Sequence, residues 1–197
     1  MVIEMSDGKS IMIVGVGGQG TLLASRLLGH ALLAQGVDVK ISEVHGMAQR
    51  GGSVVTYVKY GEKVHSPVIT QGEADVLISF EQLEAARWVS YLKKGGVLLT
   101  NTQQIDPMPV ITGAASYPQD IVGKLKALGA DVRAVDALAL AEQAGSAKAV
   151  NTVLIGLFSR PVDFPEETWQ EAVEACVPPK FLELNREAFR LGREAAC

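Results

Sequence analysis

Two hydrophobic periods alternate along the chain. Ser10–Val16 (SIMIVGV) is a continuous apolar run broken only by Gly15, the pattern of a strand buried on both faces. Thr21–Gln35 repeats Leu22, Leu23, Leu27, Leu28, Ala31 and Leu32 at helical spacing, and Gly36 follows as the residue that ends the helix. Val37–Glu43 then sets Val37, Val39 and Ile41 on one face of a second strand. Strand, glycine turn, helix, strand is a βαβ unit. Val44–Gly52 (VHGMAQRGG) keeps neither period and reads as a loop. Ser53–Tyr60 (SVVTYVKY) has strong β-propensity, and Gly61–Glu62 offers a turn into Lys63–His65. That small strand pair is expected outside the parallel sheet or on its edge.

The alternation continues with a strand over Asp75–Phe80, a helix over Gln82–Lys94 ending at Gly95, and a strand over Val97–Asn101. A helix over Gln119–Leu128, closed by Gly129, precedes a strand over Val132–Asp136. From about Leu138 the pattern is helical: Leu138–Ala144, Ala147–Phe158, Glu166–Ala175 and Lys180–Glu194, with Pro161, Pro165, Pro178 and Pro179 between them. The expected fold is α/β: a doubly wound, mostly parallel, Rossmann-like sheet with helices on both faces and a helical C-terminal segment. One domain is expected over residues 1–197.

Composition narrows the function. The 22 acidic and 18 basic residues leave a net charge of −4, which argues against nucleic acid or an anionic membrane as partner. No apolar run reaches the roughly 18–20 residues of a membrane span, and MVIEMSDGKS does not read as a secretory signal. Two cysteines fall short of a disulfide framework, a zinc site or the four thiolates of an iron–sulfur cluster. A reduced, cytoplasmic chain with no metal of its own is expected.

Two glycine-rich runs carry the candidate chemistry. Gly15, Gly17 and Gly20 satisfy the G-x-G-x-x-G spacing between a strand and a helix, with Gly18 and Gln19 inside the turn. Glycine there permits the tight turn, lets a phosphate approach the backbone and lets helix pack on strand. Glu43 stands 23 residues after Gly20, where a ribose-binding carboxylate is expected. The alternative is that the glycines only solve the turn and a protein partner packs on the bare loop. The second run, Glu43-Val44-His45-Gly46-Met47-Ala48-Gln49-Arg50-Gly51-Gly52, sets a carboxylate, an imidazole and a guanidinium beside the ligand-binding edge of the sheet. Arg50 suits a bidentate clamp on a carboxylate or phosphate, and His45 suits proton exchange near neutral pH. As structural residues, Arg50 would be a solvated or interface cation and His45 a hydrogen-bonding loop residue. Asn151, at the head of Asn151–Gly156, projects toward the loops or satisfies a neighbouring backbone group. Gly156 in mid-helix suggests a close helix crossing.

Read together, Val14–Leu22 (VGVGGQGTL), Glu43–Gly52 (EVHGMAQRGG), Asp75–Glu84 (DVLISFEQLE) and Asn151–Gly156 (NTVLIG) resemble the gamma subunit or domain of the 2-oxoacid:ferredoxin oxidoreductases, over roughly residues 10–185. The H-G-M-A-Q-R-G-G variant is most similar to the small subunit of the indolepyruvate enzymes. The resemblance implies a subunit in the oxidative decarboxylation of a 2-oxoacid to an acyl-CoA, with electrons passed to ferredoxin. It implies that thiamine diphosphate, magnesium and iron–sulfur clusters are held by partner subunits, with coenzyme A as co-substrate and no cofactor bound by this chain alone. Gly15, Gly17, Gly18, Gln19 and Gly20 match one family signature, and Glu43, Gly46, Arg50, Gly51 and Gly52 the other. His45, Gln49 and Asn151 join them as candidates for cofactor-binding or partner-facing positions. Two other readings stand beside this one: a free-standing NAD(P)-binding domain or redox sensor, and a scaffold that only assembles other subunits.

Overall fold

The computed structural model describes residues 8–46 and 51–196. Among them six strands form one sheet in the order β2-β3-β1-β4-β5-β6. The strands are β1 (Lys9–Val16), β2 (Asp38–His45), β3 (Ser53–Gly61), β4 (Ala74–Ser79), β5 (Leu92–Asn101) and β6 (Asp131–Val135). The α-helices are α1 (Thr21–Ala34), α2 (Gln82–Trp88), α3 (Met108–Ile111), α4 (Ile121–Ala127), α5 (Ala137–Gln143), α6 (Val150–Ser159), α7 (Glu166–Cys176) and α8 (Leu182–Glu194). Only β3 runs against the others. It pairs antiparallel with β1 on one side and with β2 on the other, while β1–β4, β4–β5 and β5–β6 are parallel. The expected α/β architecture is therefore present, with a mostly parallel sheet.

Successive side chains of β1 point to opposite faces, and both faces are buried. Ile11 and Ile13 enter a core shared with α1 and α5–α8, whereas Met12 and Val14 enter one shared with α2 and α4. All four are fully buried, as the unbroken apolar run predicts. Helix α1 ends as its sequence suggests: Gly36 takes φ 76° and donates to Leu33 O at 3.0 Å.

Two local expectations are corrected. Ser53–Tyr60 does not form a hairpin with Lys63–His65 at the edge of the sheet; it lies inside the sheet, between β1 and β2, and Lys63–His65 is not a strand. The register Asp38↔Gly61 to His45↔Val54 makes the preceding strand its partner, and Val55, Val58 and Tyr60 are buried accordingly. The helix expected over Gln82–Lys94 stops at Trp88; one 3-10 turn follows, and Leu92–Lys94 already belong to β5. Lys93 pairs there with Asp75, whose other carboxylate oxygen accepts from the Ser10 amide at 2.8 Å. That pairing anchors the first residues of the strand.

The C-terminal helices pack on one face of the sheet. All ten residues of α6 are buried, and α6 and α8 cross at paired glycines. A Cβ on Gly156 would strike the Phe189 carbonyl, and one on Gly192 would strike the Val153 carbonyl. The backbones meet where side chains would otherwise hold them apart, which explains a mid-helix Gly156. Around this crossing Trp169 packs against Phe158, Phe164 and Phe189 with ring centroids 5.7–6.2 Å apart. No helix among the described residues is long and apolar enough to cross a membrane.

Replacing Gly192 with alanine is expected to destabilise the chain by roughly 2–4 kcal/mol, because backbone must give way. Gly46→Ala, where a Cβ meets nothing within 4 Å, is the control and should stay within about 0.5 kcal/mol of wild type. Urea unfolding of the two variants checks this; equal midpoints would refute the crossing.

Candidate functional site

The glycine turn Gly17–Gly20 leaves the carboxyl end of β1 and opens α1. Gly18 and Gly20 adopt φ of 104° and 85°, a region closed to most side chains. A Cβ at Gly20 would lie 2.6 Å from Asn151 Nδ2, so glycine is required there twice over. Gly15 is needed for space: a Cβ would press on Gln19 Oε1 and Phe80 Cβ, both at 3.0 Å.

The β1–β3 ladder runs on beyond the strands and joins the two glycine runs. Gly17 N–H donates to Gly52 O at 2.8 Å, and Gly51 N–H reaches Gly17 O at 3.5 Å. Glu43 and His45 close β2 at the same end of the sheet, with Gly46 just beyond them. The structure thus brings Gly17, Gly18, Gly20, Glu43, His45, Gly46, Gly51 and Gly52 to one edge. Gln49 and Arg50 lie outside the described residues, in the segment between Gly46 and Gly51.

Gln19 turns inward. Its Oε1 accepts from Val16 N–H at 2.8 Å, and its Nε2 donates to Phe80 O at 3.0 Å and to Gln103 Oε1 at 3.3 Å. Asn101, fully buried, donates to the same two oxygens at 3.2 and 3.3 Å, and its Oδ1 accepts from Ala137 N–H at 3.1 Å. These three carboxamides tie together the ends of β1, β4 and β5. Asn151, 4% exposed, donates from Nδ2 to Gly20 O at 3.3 Å and fixes α6 to the first turn of α1. Sequence reasoning did not single out Gln103 and Asn101. A polar residue closing the apolar run Val97–Thr100, at the edge where parallel strands end, was the available signal.

Glu81 and Glu84, within the Asp75–Glu84 run that carries part of the resemblance, are two further buried carboxylates that were not singled out as site residues. Glu81, 1% exposed, caps α2 by accepting from Glu84 N–H at 2.9 Å, and also accepts from Ile105 N–H and the Tyr117 hydroxyl. Burial, reinforced by that carboxylate, holds the Tyr117 phenol far above its usual range and keeps it a donor. Glu84 accepts from Ser53 Oγ and Trp88 Nε1 and pairs with Arg87, so α2 grips the first residue of β3, directly after Gly51–Gly52.

What remains unpaired at this edge is backbone. The amides of Gly18, Gly20, Thr21 and Leu22 have no hydrogen-bond partner among the described residues, as at the open N-terminus of any helix. They face a cavity of about 290 Å³ lined also by Glu43, His45 and Val54. Glu43 Oε2 accepts from Thr56 Oγ1 at 3.3 Å, and the His45 ring is exposed. On the other side of the turn, a cavity of about 500 Å³ runs between Gly18–Gly20, Gln103, Lys148 and Asn151. It lies beside the point where the connections from β1 and β4 leave on opposite faces, the usual ligand crevice of such sheets. Among the described residues no three His, Cys, Asp or Glu side chains gather as a metal site. The half-buried Cys176 thiol is pushed up by burial and stays protonated near neutral pH.

The family profile described as pyruvate ferredoxin/flavodoxin oxidoreductase matches residues 10–195. The chain belongs to that family. It is 46% identical, over 95% of both chains, to indolepyruvate oxidoreductase subunit IorB of Thermococcus kodakarensis. With the subunit of the same name from Pyrococcus horikoshii it shares 43% identity, again over 95% of both chains. Among solved structures, the gamma subunit of a keto/oxoacid ferredoxin oxidoreductase from Geobacter sulfurreducens aligns with a TM-score of 0.69 and 26% identity, covering 94% of this chain and 96% of that one. Both full-length relatives are themselves subunits, so membership of the oxidoreductase family is membership of a divided enzyme.

The family's G-G-Q-G turn depends on Gln19 for its shape. Gln19→Ala is expected to cost about 1–3 kcal/mol by stranding Val16 N–H, while Phe80 O and Gln103 Oε1 keep the Asn101 donor. It should also shift the Gly17 and Gly18 amide resonances in a ¹H–¹⁵N spectrum. Unchanged stability and unchanged resonances would show that the carboxamide does not hold the turn.

Proposed function

We propose that this chain is the small, gamma-type subunit of a 2-oxoacid:ferredoxin oxidoreductase, one domain over residues 1–197, working on indolepyruvate or another aryl pyruvate in the cytoplasm. The reaction converts 2-oxoacid and coenzyme A to acyl-CoA and carbon dioxide and passes two electrons to ferredoxin. Thiamine diphosphate with magnesium and iron–sulfur clusters supply the carbanion chemistry and the electron path, and we assign them to partner subunits. Two cysteines do not furnish four thiolates, and no G-D-G…N-N thiamine motif is present.

One observation carries the reading. The two glycine runs are joined by the Gly17–Gly52 bond into a single exposed rim with four open amides, in a chain nearly half identical to an indolepyruvate oxidoreductase subunit. In this reading the rim closes over a partner's active cleft. Gly17, Gly18 and Gly20 give close backbone approach, the open amides and Arg50 receive carboxylate or phosphate oxygens, and His45 and Gln49 complete the contact. Glu43 and Asn151 hold the rim from β2 and α6. Catalysis by positioning needs no nucleophile in this chain.

The NAD(P)-binding reading is less well supported by the same geometry. Gly17 N–H is engaged by Gly52 O, and β3 separates β1 from β2. Glu43 is therefore about one strand spacing, roughly 4.8 Å, farther from the turn than in a sheet where β1 and β2 are neighbours.

Anaerobic purification of the tagged chain from its own cells tests the proposal. A larger cysteine-rich partner, brown iron–sulfur absorbance and coenzyme A-dependent ferredoxin reduction that is fastest with indolepyruvate are expected. Arg50→Ala in that complex should lower turnover at least tenfold while the isolated chain keeps its unfolding midpoint. A colourless chain that emerges alone and binds NAD(H) saturably would overturn the assignment. Partner subunits with full turnover in its absence would reduce the chain to a scaffold.

A further inference from the structure

A third cavity, of about 350 Å³, opens on the C-terminal helices and shares Leu23 and Lys148 with the cavity beside the glycine turn. Its walls are apolar: Leu23 of α1, Ala149 before α6, Val177 and Pro178 after α7, and Phe181 and Leu184 at the start of α8. The volume lies in the range of small-molecule sites, and such sites combine apolar walls with a few convergent polar groups. Three polar side chains line it, and each has a proton to donate. Lys148 stands at the mouth and makes no ion pair among the described residues. Ser146 Oγ accepts from Lys148 N–H at 3.3 Å, which leaves its hydroxyl proton free. Asn185 is 7% exposed; one Nδ2 proton is held by Phe181 O at 2.9 Å, its Oδ1 accepts from Thr152 Oγ1 at 2.6 Å, and the second Nδ2 proton is free.

A second cation stands over Phe181. Lys180 Nζ sits 4.8 Å above the ring of Phe181, a large apolar side chain left 47% exposed. No carboxylate lines the cavity, and Glu183, next to it in sequence, is paired with Arg186. Apolar walls, available donors, no lining carboxylate and an unpaired lysine complement a ligand with an apolar body and one terminal anion.

We infer that this cavity binds a free small-molecule carboxylate with an aromatic or branched apolar body, at a site that adjoins the glycine turn through Leu23 and Lys148 but contains none of its glycines. The body fills the space between Leu23, Val177 and Leu184, and the carboxylate accepts from Lys148 Nζ, with Ser146 Oγ and the free Asn185 N–H beside it. Phe181, under Lys180, lies beside the ligand's body.

The test is a ¹H–¹⁵N titration of the full chain with indole-3-acetate and with 4-methylpentanoate, against the neutral indole-3-acetamide and against acetate. Saturable shifts confined to residues 145–149 and 177–185 are expected, with the amide and acetate each at least tenfold weaker. Lys148→Ala, an exposed position, should weaken indole-3-acetate about tenfold. Leu184→Trp, which fills the cavity, should abolish the shifts, and Phe181→Ala should weaken binding if the tryptophan variant does not fold. Absence of saturation at millimolar ligand, equal binding of acid and amide, or shifts centred on residues 17–22 would each overturn the inference. The readout is binding to this chain alone, so its failure leaves the subunit assignment untouched, and the failure of that assignment leaves the cavity standing.

Discussion

The antiparallel pairing of β1 with β3 is the constraint on which the site depends. A doubly wound sheet normally places the strand after the first helix beside the first strand. Here β3 occupies that position, and its ladder with β1 runs past Val16↔Ser53 to the Gly17–Gly52 bond. One hydrogen-bonded ribbon therefore sets the height and direction of both glycine runs. The backbone exchange also takes the amide that a nucleotide phosphate would seek, and moves β2 with Glu43 outward by a strand. The same feature that sets this turn apart from a dinucleotide-binding sheet makes it a continuous rim, which under the proposed function faces a neighbouring subunit.

Behind that rim lies a layer of side-chain amides and carboxylates, each with its partners. Gln19, Gln103 and Asn101 bind the ends of three strands, and Asn151 ties α6 to α1 through Gly20 O. On the opposite face Glu81 and Glu84 fasten α2 to Ile105, Tyr117 and Ser53. Buried polar groups of this kind hold geometry because leaving one unmatched costs more than a formed pair contributes. The glycines of the first turn are held by neighbours anchored from within, Gln19 and Asn151. Under the proposed function, that anchoring keeps the entropy lost on contact with a partner small.

Much of this was legible in the sequence. β1, α1, β2, β4 and the helical tail follow from apolar periodicity, and Gly156 pointed to the helix crossing. The place of β3 was not legible: SVVTYVKY declares a strand, but which neighbour receives its hydrogen bonds depends on residues far along the chain. Gly61–Glu62 imitated a hairpin turn, whereas the true partner preceded the strand. The end of α2 was hidden for a related reason. Tyr91–Lys94 can be helical or extended, and the choice is made by the Lys93–Asp75 pair and the ladder with β4. In the site, the glycines announced themselves, while Asn101, Gln103 and Glu81 did not, because a buried hydrogen bond leaves no periodic mark.

The Gly156–Gly192 crossing bears on how the molecule opens. Helix α6 is enclosed along its whole length by α8, α1, α5 and the sheet, and its backbone touches that of α8 directly. No fraying of the tail can free α6 while leaving the sheet intact, since α8 must first withdraw from contact at the level of main-chain atoms. Amide hydrogens in α6 should therefore exchange with solvent only through events as large as those that expose β1. Helix α6, although it follows the last strand in sequence, is packed as an inner element beside the sheet.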